Sequence, residues 1–122
     1  MNNMNPLPRL DALHYLFTEK TDRSVAHCLD LDLVAVGRDR ATAEQRLNEV
    51  VRAQIAGAYS VGNYDLLFFH APVEFWTAMK EGQDLPKCLL KIETAPPMFL
   101  PVEQKLLQVE LAVFRTQTPY AA

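Results

Sequence analysis

The sequence predicts an α+β fold: an antiparallel sheet, β-β-β-α-β in its core, with one long amphipathic helix packed on one face. Three observations carry that prediction. From Leu10 to Arg38 short apolar runs alternate residue by residue between polar turns, as strands do. At residue 40 the apolar period switches to 3.6 and holds to about residue 59. Near the end, Leu107, Val109, Leu111 and Val113 alternate with Gln108, Glu110 and Ala112, which marks a half-buried strand.

The elements follow in order. Residues 1–9 are polar, broken by Pro6 and Pro8, and read as a flexible tail ahead of a single domain over residues 10–122. Leu13, Tyr15 and Phe17 alternate with Ala12, His14 and Leu16 in a first strand rich in aromatics. Glu19 to Ser24 is polar and turn-like, so a second strand from Val25 to Asp30 forms a hairpin with the first. A corner from Asp30 to Leu33 leads to a third strand, Val34 to Arg38. Asp39 is placed to cap the helix, because its carboxylate can accept the free N–H groups of the first turn. Ala43, Leu47, Val50, Val51, Ile55 and Ala58 then line one helix side. Residues 64–70 suit a strand or a helix extension equally. Pro72 opens a short helix over residues 72–81, which Gly82 stops. Cys88 to Ile92 and residues 105–114 read as strands, the latter joining the sheet or pairing across a dimer interface.

Composition removes several function classes. The chain has 122 residues, with 12 basic against 15 acidic ones and a net charge of −3. Its basic residues are scattered, the longest cluster being Arg38, Arg40, Arg46 and Arg52, so a phosphate-gripping surface and nucleic-acid binding are disfavoured. A basic partner is mildly favoured. Two distant cysteines, Cys28 and Cys88, do not make a disulfide scaffold. No segment approaches the ~20 apolar residues of a membrane span, and the N-terminal residues lack the pattern of a signal peptide. A cytoplasmic protein without membrane contact is expected.

Candidate sites are few. Asp30 and Asp32 stand two apart at a strand end, a spacing that serves a cation or a partner surface but more simply forms a turn. His14, His27, Cys28, His70 and Cys88 lack the close pairs of a zinc site, and adjacent His27 and Cys28 face opposite sides of a strand. No nucleophile elbow surrounds Ser24 or Ser60, and four scattered glycines make no phosphate loop. Catalytic, cofactor-binding and metal residues are therefore not expected. Tyr64, Phe68, Phe69, Phe75 and Trp76 form an aromatic set that completes a core or lines a pocket with His70 as its polar group.

The stretch from Ser24 to Gly37, SVAHCLDLDLVAVG, followed by the helix from Ala43 to Val51, resembles the HicB-like antitoxin superfamily. The residues that carry the resemblance are Cys28 to Leu33, Gly37, Asp39 and the helix after them, within residues 11–60. The resemblance implies a partial RNase H-like fold, dimers or higher oligomers, and no catalytic residues. It also implies a small, basic, HicA-like toxin as partner. The C-terminal half lacks the ribbon-helix-helix or helix-turn-helix pattern that many members use to bind their operator.

The resulting expectation is a non-enzymatic, antitoxin-like binding protein without its own DNA-binding segment. It forms a homo-oligomer, uses no cofactor, and presents Asp30 and Asp32 to its partner. The alternative is a small-ligand or enzymatic domain with an aromatic pocket around Phe68, His70, Phe75 and Trp76. A stand-alone family member without a toxin is a third reading.

Overall fold

Strand β1 (Ala12–Glu19) is buried on both of its sides, and the fold is built around it. The structure, a computed structural model, describes residues 10–67, 69–94 and 107–121; the expected tail over 1–9 and the pocket candidate Phe68 lie outside them. β1 turns back at residues 20–23, where the Lys20 N–H donates to the Arg23 carbonyl at 2.8 Å, and pairs antiparallel with β2 (Ser24–Cys28). β2 in turn pairs antiparallel with β3 (Leu33–Gly37). The tight corner between them needs Asp32 in the left-handed region, φ 51°, a conformation that Asp tolerates better than most side chains. Gly37 ends β3 because a Cβ there would sit 2.4 Å from the backbone nitrogen of Ala43, so the strand can lie directly against the helix that follows.

That helix, α1 (Arg40–Val61), starts where Asp39 places it. The Asp39 carboxylate accepts the Thr42 N–H at 2.8 Å. Gly62, at φ 68°, closes the other end. The Thr42 N–H, then its hydroxyl, holds the Asp39 carboxyl below its ordinary range. A lowered carboxyl contributes stability above its ordinary pKa and loses it as pH falls through the lowered value. Asp39→Ala is thus expected to lower Tm near neutrality, while in strong acid the variant and the parent converge. Thermal melts across that pH range check it.

Ala43, Leu47, Val51, Ile55 and Ala58 of α1 are buried against Leu13, Tyr15 and Phe17 of β1. Each large side chain so buried contributes about 1.5–3 kcal/mol. Tyr15 carries its hydroxyl into this core and donates to Asn48 Oδ1 at 2.7 Å, and burial pushes its ionisation well above the usual tyrosine range. After a 3-10 turn (Tyr64–Leu67), helix α2 (Val73–Glu81) crosses to the other sheet face, where Leu16, Leu29 and Ala71 make a small second core with Trp76, Ala78 and Met79. Strands β4 (Gln83–Thr94) and β5 (Leu107–Ala121) complete the sheet.

The sheet has five strands in the order β3-β2-β1-β5-β4. It is mixed, which corrects the expected antiparallel sheet: β5 runs parallel to β1, with Leu13 beside Val113 and His14 beside Phe114. Alternation reveals which side chains share a face and carries no information on strand direction. Direction is set here because β4 takes the outer position and β5 returns antiparallel between it and β1. The helix over 73–81 is followed by both of these strands, so the elaboration is internal and the described chain ends on a strand, not on a C-terminal helix. No helix among the described residues is long and apolar enough to cross a membrane.

Both outer strands are partly capped from α1. Arg46 Nη1 donates to the Val36 carbonyl of β3 at 2.8 Å, and Arg52 Nε donates to the Lys91 carbonyl of β4 at 3.1 Å. Unpaired strand edges otherwise template contact with other chains. The arginines that look like a basic patch in the sequence are therefore largely engaged within the chain.

Candidate functional site

The sheet face opposite α1 holds the residues with chemistry. Register puts His14, Leu16 and Thr18 of β1, Val25 and His27 of β2, Val34 and Val36 of β3, and Phe114 and Thr116 of β5 on this face. Helix α2 covers only its middle, and none of its nine residues is buried.

Asp30 and Asp32 each end up paired with a histidine. Asp30 lies buried behind the β2–β3 corner, its Oδ1 accepting the backbone N–H of His14 at 2.6 Å and its Oδ2 lying 2.9 Å from His14 Nδ1. Both oxygens are thus spent inside the chain. Asp32 Oδ1 lies 2.7 Å from His27 Nε2, and its side chain keeps 43% of its exposure. Of the two carboxylates, Asp32 alone offers an oxygen to the outside. The pairing was hidden in the sequence because His14 and Asp30 stand sixteen positions apart and meet only through the hairpin register.

Aromatic rings hold the two imidazoles. Phe114 stacks on His14 with ring centres 5.4 Å apart, and Trp76 meets the same ring edge-on at 5.3 Å. Phe75 contacts His27 edge-on at 4.7 Å. The Trp76 indole N–H donates to the Ala71 carbonyl at 3.1 Å, which ties α2 to the segment before it. His70, the expected polar group of the aromatic pocket, is exposed and stands 6.1 Å from Trp76. Trp76 and Phe75 therefore serve two different histidines from one helix. Tyr64 lies elsewhere, packed near Tyr59 at 6.1 Å, and Phe69 is exposed.

Two clefts flank α2. One of about 430 Å³ is lined by Leu16, Val25, His27, Phe75 and Ala78, with Lys20 and Glu74 at its rim. The other, about 360 Å³, is lined by His14, Trp76, Met79 and Phe114, with Lys80 and Asp84 beside them. Its key members His14 and Phe114 carry no local motif; they become neighbours only through the parallel β1–β5 pairing.

A histidine oriented by a carboxylate is half of a nucleophile-activating pair. The free cysteines do not supply the other half, because burial pushes the Cys28 thiol up to about 12, and Cys88 is also raised, first by desolvation. Ser24 is buried on β2 and donates to Glu19 at 2.6 Å. Among the described residues, no group of three or more His, Cys, Asp and Glu is arranged to hold a metal ion.

No family model, curated protein or solved structure matches the chain.

On the α1 side, Arg115 of β5 forms a two-pronged ion pair with Glu44 of α1, Nε and Nη2 each 2.7 Å from a carboxylate oxygen. These hydrogen bonds are the first cause of the upward shift of the guanidinium. Both side chains are mostly sheltered, so the pair fixes the helix on the sheet.

Proposed function

We propose that the chain is a non-enzymatic binding protein of the HicB-like, antitoxin-like kind, which docks a small basic protein on the sheet face that α2 half covers. One observation carries the reading: large apolar side chains stay exposed on that face, with Leu89 at 61%, Phe114 at 42% and Phe75 at 37%. Clustered apolar surface with a polar rim is what protein interfaces use. Register sets Asp84 and Glu93 on the same face, and Glu74 projects from α2. Lys91, paired with Glu110, and Lys87, seated over Phe114, share that face, so it is the net charge of −3 that favours a basic partner. The run β1-β2-β3-α1, with a later strand returning beside β1, has the element order that the HicB-like resemblance implies. Asp30 acts in this reading as a positioning group that braces the corner.

The experiment is affinity capture of the tagged full chain from its native cells, with bound proteins identified and then re-expressed. A stoichiometric small basic protein whose binding is lost in Phe114→Ala supports the proposal. Recovery of the chain without any such partner sinks it.

A second reading has its own observation. His14, held between Trp76 and Phe114 by a buried carboxylate, lines the 360 Å³ cleft, as a small-ligand site would require. A metabolite that raises Tm of the parent and not of His14→Ala would favour that reading, since a ligand stabilises by mass action.

A further inference from the structure

The two sheet edges differ, and β3 carries the pattern of a strand that matches its own copy. It is uncharged from Leu33 to Gly37 and is bracketed by Asp32 at one end and Arg38 at the other. When a strand pairs antiparallel with itself about a two-fold axis normal to the sheet, opposed residues must share a face. The axis then passes through a residue, never between two. Centred on Ala35, the pairing opposes Leu33 to the partner's Gly37, Val34 to the partner's Val36 and Asp32 to the partner's Arg38, each twice. Centred on Val34, Asp32 meets the partner's Val36; centred on Val36, Arg38 meets the partner's Val34. Within the strand and its two bracketing residues, Asp32 to Arg38, only the Ala35 register brings opposite charges together.

We propose that the protein self-associates through β3 in this register, joining two five-stranded sheets into one. Exposure supports the choice of edge. Val34 is 52% exposed, Val36 41% and, on α1, Val50 41%. Val50 follows Arg46 by one helical turn, on the side of α1 that reaches over β3. The four valines of the two β3 strands therefore meet across the axis on one face, with Val50 nearby on the other. The ends are equally open: the Asp32 side chain is 43% exposed and holds only His27 with one oxygen. Arg38 is 88% exposed, its nearest carboxylate being its neighbour Asp39 at 3.7 Å.

The Arg46 contact with the Val36 carbonyl does not close this edge, because a carbonyl oxygen has a second lone pair for a partner's N–H. The β4 edge is less suited. It carries Lys87, Lys91 and Glu93 and lacks an N–H at Pro86. A five-residue strand pair is a small interface, so the dimer is weak. It leaves Phe114, Leu89 and the outer side of α2 open, and it stands independently of the basic-partner reading.

The test is sedimentation velocity on the full chain over a concentration series, with two charge-reversed variants, Asp32→Lys and Arg38→Asp. Circular dichroism and thermal melts confirm that each is folded, which matters for Asp32→Lys because of its left-handed backbone. The parent is expected to dimerise with rising concentration. Each variant alone opposes like charges twice and is expected to dissociate at least about tenfold more readily. An equimolar mixture of the two variants opposes unlike charges at every position and is expected to recover the dimer. A parent that stays monomeric throughout overturns the proposal, even if it still captures a basic protein. So do variants that dimerise as well as the parent, or a mixture that does no better than its components.

Discussion

Truncating Phe17 to Ala is expected to cost about 3–5 kcal/mol of folding free energy, enough to leave a domain of this size barely folded. Phe17 has no exposed surface and lies on the central strand, where neighbours on both sides fix the backbone and prevent the site from collapsing around a void. Its ring also lies 5.6 Å below the Arg115 guanidinium, a contact that disappears with the ring. Leu16, the next residue, points to the opposite face and into the three-residue second core. Leu16→Ala is expected near the lower end, about 2 kcal/mol, since α2 has no buried residue of its own and can settle onto the gap. Urea unfolding of the two variants measures both costs. Equal losses would mean that α2 is held far more firmly than its packing indicates.

Glu44→Ala is expected to cost about 2–3 kcal/mol. The deletion leaves Arg115 with its charge, partly sheltered, facing an empty space where two hydrogen bonds of 2.7 Å had been. The figure stays below that of a fully buried pair because both side chains retain 17% of their exposure. Replacing both partners together, Glu44→Leu with Arg115→Met, is expected to cost less than either deletion alone, because no charge is then left stranded. The raised Arg115 pKa sets the pH behaviour. A cation raised by its partner keeps its contribution at every pH below its ordinary value, so on the arginine's side the pair holds constant through neutrality. A double-mutant cycle by chemical unfolding measures the coupling.

The local elements were legible in the sequence, and the long-range pairings were not. Helix α1 could be read because its apolar residues keep one period and Asp39 and Gly62 punctuate its ends. Strands β2 and β3 lie close to their expected places because a tight corner separates them. β4 runs from Gln83, well before the expected Cys88, since Pro86 and an irregular register between Leu85 and Cys88 obscure its alternation. At the site, Asp30 and Asp32 stood out by spacing, whereas their partners His14 and His27 did not, because hairpin register pairs them across strands. The sequence leaves the aromatic set either completing a core or lining one pocket around His70. Trp76 and Phe75 instead attend separate histidines, since neighbouring helix residues point in different directions.

The parallel seam between β1 and β5 has a consequence for how the chain comes off the ribosome. β1 is made before the other strands, and its neighbour on one side spans Leu107–Ala121 and emerges nearly a hundred positions later. Until then a nascent chain can form the β1-β2-β3 meander and α1, with one flank of the aromatic-rich β1 unzipped. Contacts this distant in sequence close slowly, because loop-closure entropy must be met before they form. The half-made sheet is thus the aggregation-prone species during synthesis. Chains stalled before β5 should be the ones that chaperones and proteases find first.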